Sequence, residues 1–296
     1  MLVRVCGANN RPEGRPLPAH GGTIVNSLFC CPICGGALER TQDRYVCPQG
    51  HSYDLAREGY VHLLPVNRRH SDNPGDDRAM VQARTRFLDG GWYAPLREAL
   101  CELAFSTAQA APSLLDAGCG EGYYTAALAE RVKTLGGRIA GIDLSKAAVK
   151  KAARRCPTAE IAVASCYRLP VPDASIHCLI DCFSPLAAAE FRRVLRQDGQ
   201  FLYVVPGPRH LWELKCLLYD APYENEERIE TYEGFSLTSV TPVETAFTLP
   251  TAEDVQALFH MTPYTWKTPR ERAARLSAVE RLTVTAQFRI HTFRRG

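Results

Sequence analysis

The sequence predicts an α/β protein in which a doubly wound, mostly parallel Rossmann-like sheet is preceded by a small N-terminal zinc-binding β module. From residue 113 onward, apolar runs of strand length alternate with helix-like runs, which is typical of a parallel sheet covered by helices on both faces. A glycine-rich loop follows the first of these strands. Cysteine and histidine residues at zinc-ligand spacing stand nearer the N-terminus. With 296 residues, the chain has room for one full-sized domain and a satellite.

Composition divides the chain into four regions. Residues 1–28 contain arginine, proline and glycine without the continuous apolar run of a secretory signal, and we predict a flexible leader there. Residues 29–66 are rich in cysteine with short β-like runs and form the predicted zinc-binding module. Residues 67–112 are charged and helix-like, which indicates a helical connector. Residues 113–296 form the predicted catalytic domain.

The overall composition indicates a globular, cytoplasmic protein. Hydrophobic residues make up 46% of the chain and charged residues 23%, which excludes a disordered chain. Most of the 12 cysteines are scattered singly through apolar runs, as buried reduced thiols are in cytosolic proteins. No stretch approaches the roughly 18 apolar residues of a membrane span, so we expect no membrane partner.

The charge pattern does not by itself identify a partner. The formal charge of +3 is far below the excess that indicates a nucleic-acid binder. Arginines are nevertheless grouped locally, and any RNA contact would come from such groups, although solvated helix faces are the simpler interpretation of most of them. The groups are Arg68 and Arg69, Arg154 and Arg155, Arg192, Arg193 and Arg196, Arg270, Arg272 and Arg275, and Arg294 and Arg295.

Within the catalytic domain, hydrophobic periodicity and end signals place the elements in order. The predicted strands cover residues 113–117, 138–143, 160–164, 176–182, 200–205 and 282–290. The predicted helices cover residues 123–132, 146–155, 186–195, 209–219 and 252–259. Ser145 precedes the second of these helices and is a candidate N-cap, because its hydroxyl can accept a bond from a free amide of the first turn.

Four residues near the N-terminus have the spacing of a structural zinc site. Two residues separate Cys31 from Cys34, and a twelve-residue excursion leads to Cys47 and His51. The short separation forms a knuckle that points both sulfurs at one centre, and the excursion suits a β-hairpin. Three thiolates and one imidazole leave no open position for water, so we predict structural Zn²⁺. The alternative is four unrelated residues, with Cys30 as a substitute ligand that would lose the knuckle.

The loop after the first catalytic-domain strand is typical of a nucleotide site. Gly118, Gly120 and Gly122 follow Asp116, and the helix behind them offers unpaired amides. A dehydrogenase loop must accept a pyrophosphate, which a carboxylate at this turn would repel, whereas the same carboxylate suits an ammonium or sulfonium group. The loop therefore predicts S-adenosylmethionine as the ligand.

Asp143 ends the second strand, where a carboxylate can accept both ribose hydroxyls of the methyl donor. The alternative interpretation is an acid at the N-terminus of the following helix, beside Ser145. Ser165, Cys166 and Tyr167 come just after the third strand and are candidates to flank the adenine. The sequence does not choose among these three.

Several motifs together resemble the bacterial 23S rRNA guanine-N(1) methyltransferases. The resemblance covers about residues 29–290, and the combination is specific even though many unrelated methyltransferases share the glycine loop. Besides the zinc knuckle, the motifs are EGYVHLLP at 58–65, DNPGD at 72–76, AR and FLDG within 83–90, GCGEGYY at 118–124 and PGPRHL at 206–211. Members act on a hairpin of the large-subunit RNA, and some confer resistance to macrolides such as tylosin.

The resemblance also implies site residues. The family's zinc ligands fall on the same cysteines and histidine that spacing predicts, Cys31, Cys34, Cys47 and His51. Its S-adenosylmethionine contacts fall on Tyr93, Gly120, Glu121 and His210, to which the residue pattern adds Asp116, Gly118, Gly122 and Asp143. Without the resemblance, Tyr93 would be interpreted as a core aromatic and His210 as a histidine at a helix N-terminus.

The chain departs from the family after the fourth strand, where Asp181 stands in place of the arginine of gammaproteobacterial members. Because N1 of guanine is protonated at neutral pH, a carboxylate or histidine must remove that proton, while in-line positioning supplies most of the acceleration. We interpret Asp181 as the candidate general base. The equally weighted alternative is a strand-end acid bonded to loop amides, and His210 is the second candidate.

The function implied is S-adenosylmethionine-dependent methylation of guanine N1 in a 23S rRNA hairpin, whose target base is unstacked into a pocket at the carboxyl ends of the strands. The expected partners are this hairpin or its precursor particle, held by the zinc module and residues 68–86, and a homodimer stays open. Two other functions also stay open: methylation of another RNA, a protein or a small molecule, and RNA binding without catalysis. The intact glycines and acids of the donor site argue against the last.

Overall fold

The structure, a computed structural model, describes residues 25–65, 75–107 and 110–296, and these form two sheets with helices on both faces of the larger one. The smaller sheet is antiparallel, with the order β1-β2-β3-β4. Its strands are β1 (Val25–Cys30), β2 (Ala37–Arg40), β3 (Arg44–Val46) and β4 (Ser52–Asp54). This sheet carries the predicted zinc ligands in its turns.

The larger sheet has eight strands in the order β11-β12-β10-β9-β6-β7-β8-β5. They are β5 (Tyr60–His62), β6 (Ser113–Ala117), β7 (Arg138–Asp143), β8 (Glu160–Val163), β9 (Ile176–Cys182), β10 (Leu195–Pro206), β11 (Phe235–Leu249) and β12 (Leu282–Arg295). Only β12 runs against its neighbours, since it pairs antiparallel with both β10 and β11. The predicted doubly wound, mostly parallel sheet is confirmed. The strand order reverses at β6, and the crevice at its carboxyl end is the position where such sheets bind nucleotides.

The helices lie between these strands along the chain. They are α1 (Arg78–Asp89), α2 (Ala94–Ala104), α3 (Tyr123–Thr134), α4 (Lys146–Arg155), α5 (Ala188–Val194), α6 (Trp212–Leu218), α7 (Ala252–Met261), α8 (Tyr264–Lys267) and α9 (Arg270–Ala273). Ser145 caps α4 as predicted, since its hydroxyl accepts a bond from the amide of Ala148 at 3.3 Å. In the described part of the chain, no helix has both the length and the apolar character needed to cross a membrane.

Two predicted region boundaries need correction. Strand β1 begins at Val25, inside the range predicted as a leader, because the Leu28 amide and the Ser27 hydroxyl bond to the carboxylate of Glu160 on the large sheet. Residues 1–24 lie outside the described residues. Strand β5 falls inside the predicted zinc module yet pairs in parallel with β8, so the module contributes a strand to the large sheet.

The two faces of the large sheet have separate apolar cores. One face packs against helices α1 to α4, α6 and α7, while the other packs against α5 and the zinc module. Phe29, Leu38 and Tyr45 of the small sheet belong to the same buried cluster as Leu115 and Val61 of the large one. The burial of these apolar side chains fixes the zinc module on one face of the catalytic sheet.

Candidate functional site

The four predicted zinc ligands converge on one point. The Sγ atoms of Cys31, Cys34 and Cys47 and a ring nitrogen of His51 all lie within 4.8 Å of one another. Cys34 Sγ is 3.7 Å from Cys47 Sγ, and His51 Nδ1 is 3.3 Å from Cys47 Sγ and 3.6 Å from Cys31 Sγ. Zinc–sulfur bonds of about 2.3 Å in a tetrahedron place two sulfurs about 3.8 Å apart, so the separation of Cys34 Sγ and Cys47 Sγ fits two thiolates bound to one Zn²⁺.

Two tight turns hold the ligands in place. The Gly35 amide donates to Cys31 O at 2.8 Å, and the Gly50 amide donates to Cys47 O at 2.9 Å. Both glycines have positive φ angles, of 74° and 81°, which residues with a Cβ adopt only with strain. The hydroxyl of Tyr53 lies 3.0 Å from Cys31 Sγ and donates to it when the sulfur is a thiolate. Cys30 stays outside the ligand cluster, and its amide donates to Pro170 O at 2.8 Å.

The methyl-donor loop lies at the carboxyl end of β6, at the reversal of strand order. Gly118, Gly120 and Gly122 all have positive φ angles, of 89°, 55° and 85°. The Gly120 amide donates to Asp143 Oδ2 at 3.0 Å, and the Ser145 amide donates to Asp143 Oδ1 at 2.7 Å. The carboxylate of Asp143 is therefore fixed between the glycine loop and the start of α4, with lone pairs left for the two ribose hydroxyls.

Asp116 is buried below the loop and accepts a 2.6 Å bond from the hydroxyl of Thr125 on α3. Burial raises the pKa of this carboxyl to about 7, although the Thr125 bond opposes the shift. In the absence of a cationic ligand, the carboxyl therefore anchors α3 to β6. A sulfonium or ammonium group nearby would favour its charged form.

Glu121 supports the presence of a ligand at this loop. Its side chain is buried, and its Oε1 atom has no hydrogen-bond partner in the described structure. Burial raises the pKa of Glu121, and the positive charge of Arg84 on α1 opposes this shift. Arg84 also forms an ion pair with Asp76. The carbonyl of Asp76 in turn accepts a 2.7 Å bond from the Ser145 hydroxyl. Sequence reasoning assigned no role to Asp76 or Arg84, although both lie in motifs of the resemblance.

Tyr93 and His210, implied only by the resemblance, lie together although 117 positions separate them. The Tyr93 hydroxyl donates to His210 Nε2 at 3.5 Å, and His210 Nδ1 donates to Gln287 O at 2.8 Å. Burial lowers the pKa of His210 to about 4, so its ring is neutral at physiological pH. Gln287, which fixes the tautomer, had no signal in the sequence because it lies on the distant strand β12.

Asp181 is the second-to-last residue of β9 and is fully buried. Its Oδ1 accepts bonds from the Ser184 amide at 3.0 Å and from the Ser184 hydroxyl at 2.8 Å, while its Oδ2 has no partner in the described structure. Burial raises the pKa of this carboxyl to about 7, and the Ser184 bonds oppose the shift. One oxygen thus acts as the strand-end acceptor of the alternative interpretation, and the other remains available.

A cleft of about 790 Å³ separates the first zinc knuckle from the loop after β8. Of the three adenine candidates, Ser165 and Tyr167 line this cleft together with Leu144, which directly follows Asp143. Cys166 is buried instead. The cleft thus extends from the carboxyl end of β7 to the zinc module.

In the described part of the chain, three of the five arginine groups contain ion pairs with acidic residues. Arg154 pairs with Glu58, Arg155 with Asp89, Arg192 with Glu233, Arg193 with Glu190 and Asp173, and both Arg272 and Arg275 with Asp220. Such pairs support the simpler interpretation of these groups as solvated helix faces. Arg68 and Arg69 lie outside the described residues.

Comparison with known proteins assigns both parts of the chain. A zinc-ribbon family model described as "RlmA, N-terminal" matches residues 29–72, and a model described as "Methyltransferase domain" matches residues 114–199. A protein of Micromonospora griseorubida is 35% identical over 89% of this chain and 96% of its own length, and one of Bacillus subtilis is 32% identical over 89% and 95%. Both are named "Putative 23S rRNA (guanine-N(1)-)-methyltransferase", the second with the suffix YxjB.

A third relative is also named as a 23S rRNA guanine-N(1) methyltransferase. A Streptomyces fradiae protein named "23S rRNA (guanine(748)-N(1))-methyltransferase" is 40% identical over 62% of this chain and 65% of its own length. The first two relatives match over 89% of this chain, which is more than either the zinc ribbon or the methyltransferase domain alone occupies. The chain therefore carries a structural zinc ribbon and an S-adenosylmethionine-dependent methyltransferase domain.

Proposed function

The chain belongs to the family of 23S rRNA (guanine-N(1)-)-methyltransferases, and from this premise we propose that it methylates N1 of one guanine in a hairpin loop of 23S rRNA. One observation carries the proposal: the relatives match across almost the whole chain, so the zinc ribbon and the donor loop are inherited together. The buried, unpartnered Glu121 and the fixed Asp143 carboxylate support donor binding at this loop.

The donor site is proposed to work through fixed contacts. S-adenosylmethionine, when bound, supplies an electrophilic methyl group on a sulfonium. Asp143 would accept the ribose hydroxyls, and the positive-φ glycines let the backbone approach without a Cβ. The remaining contacts with the donor would come from the residues of the glycine loop and the strand before it, Asp116, Gly118, Gly120, Glu121 and Gly122. Tyr93 and His210 would close the side of the pocket next to β12.

Asp181 is proposed to take the proton from guanine N1. The unpartnered Oδ2 is an available acceptor, and a pKa near 7 matches the working pH, which is where a general base is most effective. The Ser184 bonds to Oδ1 would hold the carboxyl in one orientation during the transfer. His210 is less suited to this role, because burial lowers its pKa to about 4.

The zinc ribbon and residues 68–86 are proposed to hold the RNA hairpin beside this pocket. Within that range, Arg84 and Arg86 form ion pairs with Asp76 and Asp254, and we choose the two adjacent cations, Arg68 and Arg69, for the test. We expect the double charge reversal Arg68→Glu and Arg69→Glu to weaken binding of a 23S rRNA transcript more than tenfold, as measured by filter binding. Unchanged RNA affinity would contradict this part of the proposal.

Two finer proposals accompany the RNA substrate. A homodimer is supported by β11, which is the terminal strand of the large sheet in the described part of the chain and so offers a free backbone edge. Light scattering of the purified protein tests it, and a monomeric mass would contradict it. The link to macrolide resistance is tested by comparing tylosin sensitivity of cells with and without the gene, and equal sensitivity would contradict it.

Transfer of a tritiated methyl group tests the proposed function. The protein is incubated with labelled S-adenosylmethionine and, separately, with a 23S rRNA transcript, ribosomal proteins or a metabolite extract. We expect label in the RNA, and after nuclease digestion it should co-elute with 1-methylguanosine. Label only in protein or metabolites would favour methylation of another substrate. Binding of the donor and RNA without any transfer would favour a protein that has lost catalysis.

A further inference from the structure

Phe183 has an unusual backbone conformation at the carboxyl end of β9. Its φ angle is +62°, in the left-handed region that bulky residues rarely adopt. Phe183 is also 47% exposed, although it lies two residues after the buried Asp181 and next to the donor loop. A strained aromatic at such a position indicates a functional constraint on its side chain.

The neighbouring residue explains how the conformation is held. The Ser184 amide and hydroxyl bond to Asp181 Oδ1 at 3.0 and 2.8 Å, and the same hydroxyl lies 2.7 Å from the carbonyl oxygen of Ala117, the last residue of β6 before the glycine loop. Gly118 permits this approach, since a Cβ added there would lie 2.2 Å from Ser184 Cβ. The turn is therefore held against the start of the donor loop, and the partly exposed Phe183 ring lies beside it.

The ring is supported by other aromatic groups and remains partly open. Its centroid lies 5.8 Å from that of Phe288 and 6.4 Å from that of His210, with interplanar angles of 50° and 38°. His210 and Phe288 are themselves buried, so they give Phe183 a rigid backing. The exposed part of Phe183 thus offers an aromatic surface backed by His210 and Phe288, two residues along the chain from the candidate base.

We propose that Phe183 stacks on the target guanine and positions its N1 atom between Asp181 and the donor methyl group. This inference rests on the proposed function. A base removed from RNA loses its stacking partners, and an aromatic side chain in the pocket replaces them. The strained turn then has a physical role, because it directs the ring to the rim where the unstacked base enters.

Four variants at this position separate stacking from structural support. Phe183→Gly removes both the ring and the backbone strain, Phe183→Leu keeps an apolar side chain without an aromatic face, and Phe183→Tyr and Phe183→Trp keep the face. Trp266→Ala is the matched control, because Trp266 is an aromatic residue that is 69% exposed on α8, outside the site. Each protein is assayed for kcat and KM on a 23S rRNA transcript, for S-adenosylmethionine affinity by calorimetry and for Tm.

We expect the Gly and Leu variants to lose about 5- to 150-fold in kcat/KM for the RNA, the range of base–aromatic stacking. Donor affinity should stay within threefold, and the Tm of the Gly variant should equal or exceed that of the wild type. The Tyr and Trp variants and the control should stay within threefold of the wild type in kcat/KM. If the wild type methylates the transcript and the Gly or Leu variant retains more than half of its kcat/KM, stacking is refuted while the proposed function stands. If the wild type does not methylate the transcript, both are refuted.

Discussion

At the scale of single residues, burial has the same effect on the pKa of two acids of the site, and these acids differ in their hydrogen-bond partners. Asp116 and Asp181 are both buried, and burial raises the pKa of each to about 7. Asp116 has a hydroxyl partner on α3, whereas Asp181 keeps an unpartnered oxygen in the described structure. The two carboxyls thus have similar pKa values. Asp181 is the proposed base because one of its oxygens has no hydrogen-bond partner among the described residues that would compete with the guanine.

This assignment predicts a pH profile. A base must be unprotonated, so kcat/KM should fall about tenfold for each pH unit below pH 7 and level off above it. Asp181→Asn should lower kcat by roughly 10²- to 10⁴-fold at pH 8. The control is Asp198→Asn, since Asp198 is an exposed acid on β10 whose positive φ asparagine also tolerates. Stopped-time methylation of the RNA from pH 5.5 to 8.5 measures this, and an Asp181→Asn protein with wild-type kcat would contradict the assignment.

Some site residues were accessible from the sequence and others were not. Cys31, Cys34, Cys47 and His51 stand at a spacing that follows from metal geometry, and the structure brings them together. Tyr93 and His210 are far apart in sequence and meet only because α2 and the loop before α6 pack on the same sheet face. No local pattern could reveal that pair, and only the family resemblance predicted it.

At the scale of elements, the contact between the glycine loop and the turn after β9 has a direct test. Gly118→Ala would place a Cβ 2.2 Å from Ser184 Cβ at a φ of +89°. Gly136→Ala is the matched control, since Gly136 also has a positive φ, of +68°, but open space around its Cβ position. We expect Gly118→Ala to lower the free energy of unfolding by roughly 3 kcal/mol or more, and the control by about 1 kcal/mol.

Denaturant unfolding and calorimetry check this comparison. Gly118→Ala should also abolish measurable S-adenosylmethionine binding, whereas Gly136→Ala should leave the affinity within twofold. In the double variant Gly118→Ala/Ser184→Gly, part of the lost stability should return because the steric clash is removed. Equal destabilisation by the two single variants would show that φ strain alone matters, which would contradict the proposed contact.

The zinc ribbon gives a second element-scale prediction. Cys34→Ser should lose the metal and lower Tm, because a structural zinc site contributes folding free energy directly. Cys30→Ser is the control, since Cys30 is an adjacent buried cysteine outside the ligand cluster. Elemental analysis should give one zinc per chain in the wild type and in Cys30→Ser. Zinc retained by Cys34→Ser, or lost from Cys30→Ser, would contradict the ligand set.

Helices and strands could be predicted where a short stretch of sequence carries the signal for them. The predicted strands at 113–117, 138–143 and 176–182 and the helix at 146–155 match β6, β7, β9 and α4 residue for residue. These elements carry either a buried apolar run or a side-chain cap. Strand β11 was missed because it is half-exposed, rich in threonine and serine, and defined only by its pairing with β12. The predicted helix at 209–219 begins later, at Trp212, since Leu211 has a φ of +55°.

At the scale of the whole molecule, the metal site and the methyl-donor site belong to one packed body. The Cys30 amide bonds to Pro170 O, and the guanidinium of Arg193 donates to Val171 O and Leu169 O at 2.8 Å each. Strand β5 extends the catalytic sheet from the zinc side. The zinc module thus has a fixed position relative to the donor loop, which would allow a hairpin held as proposed to present a single guanine.

Primer extension on 23S rRNA tests the central claim most directly. A methyl group on N1 of guanine blocks Watson–Crick pairing and so stops reverse transcriptase. After incubation of an unmodified transcript with the protein and S-adenosylmethionine, we predict one new stop next to one hairpin-loop guanine. The stop should be missing without the donor and with Asp143→Ala. An unchanged extension pattern, from a protein that calorimetry shows to bind S-adenosylmethionine, would contradict the account.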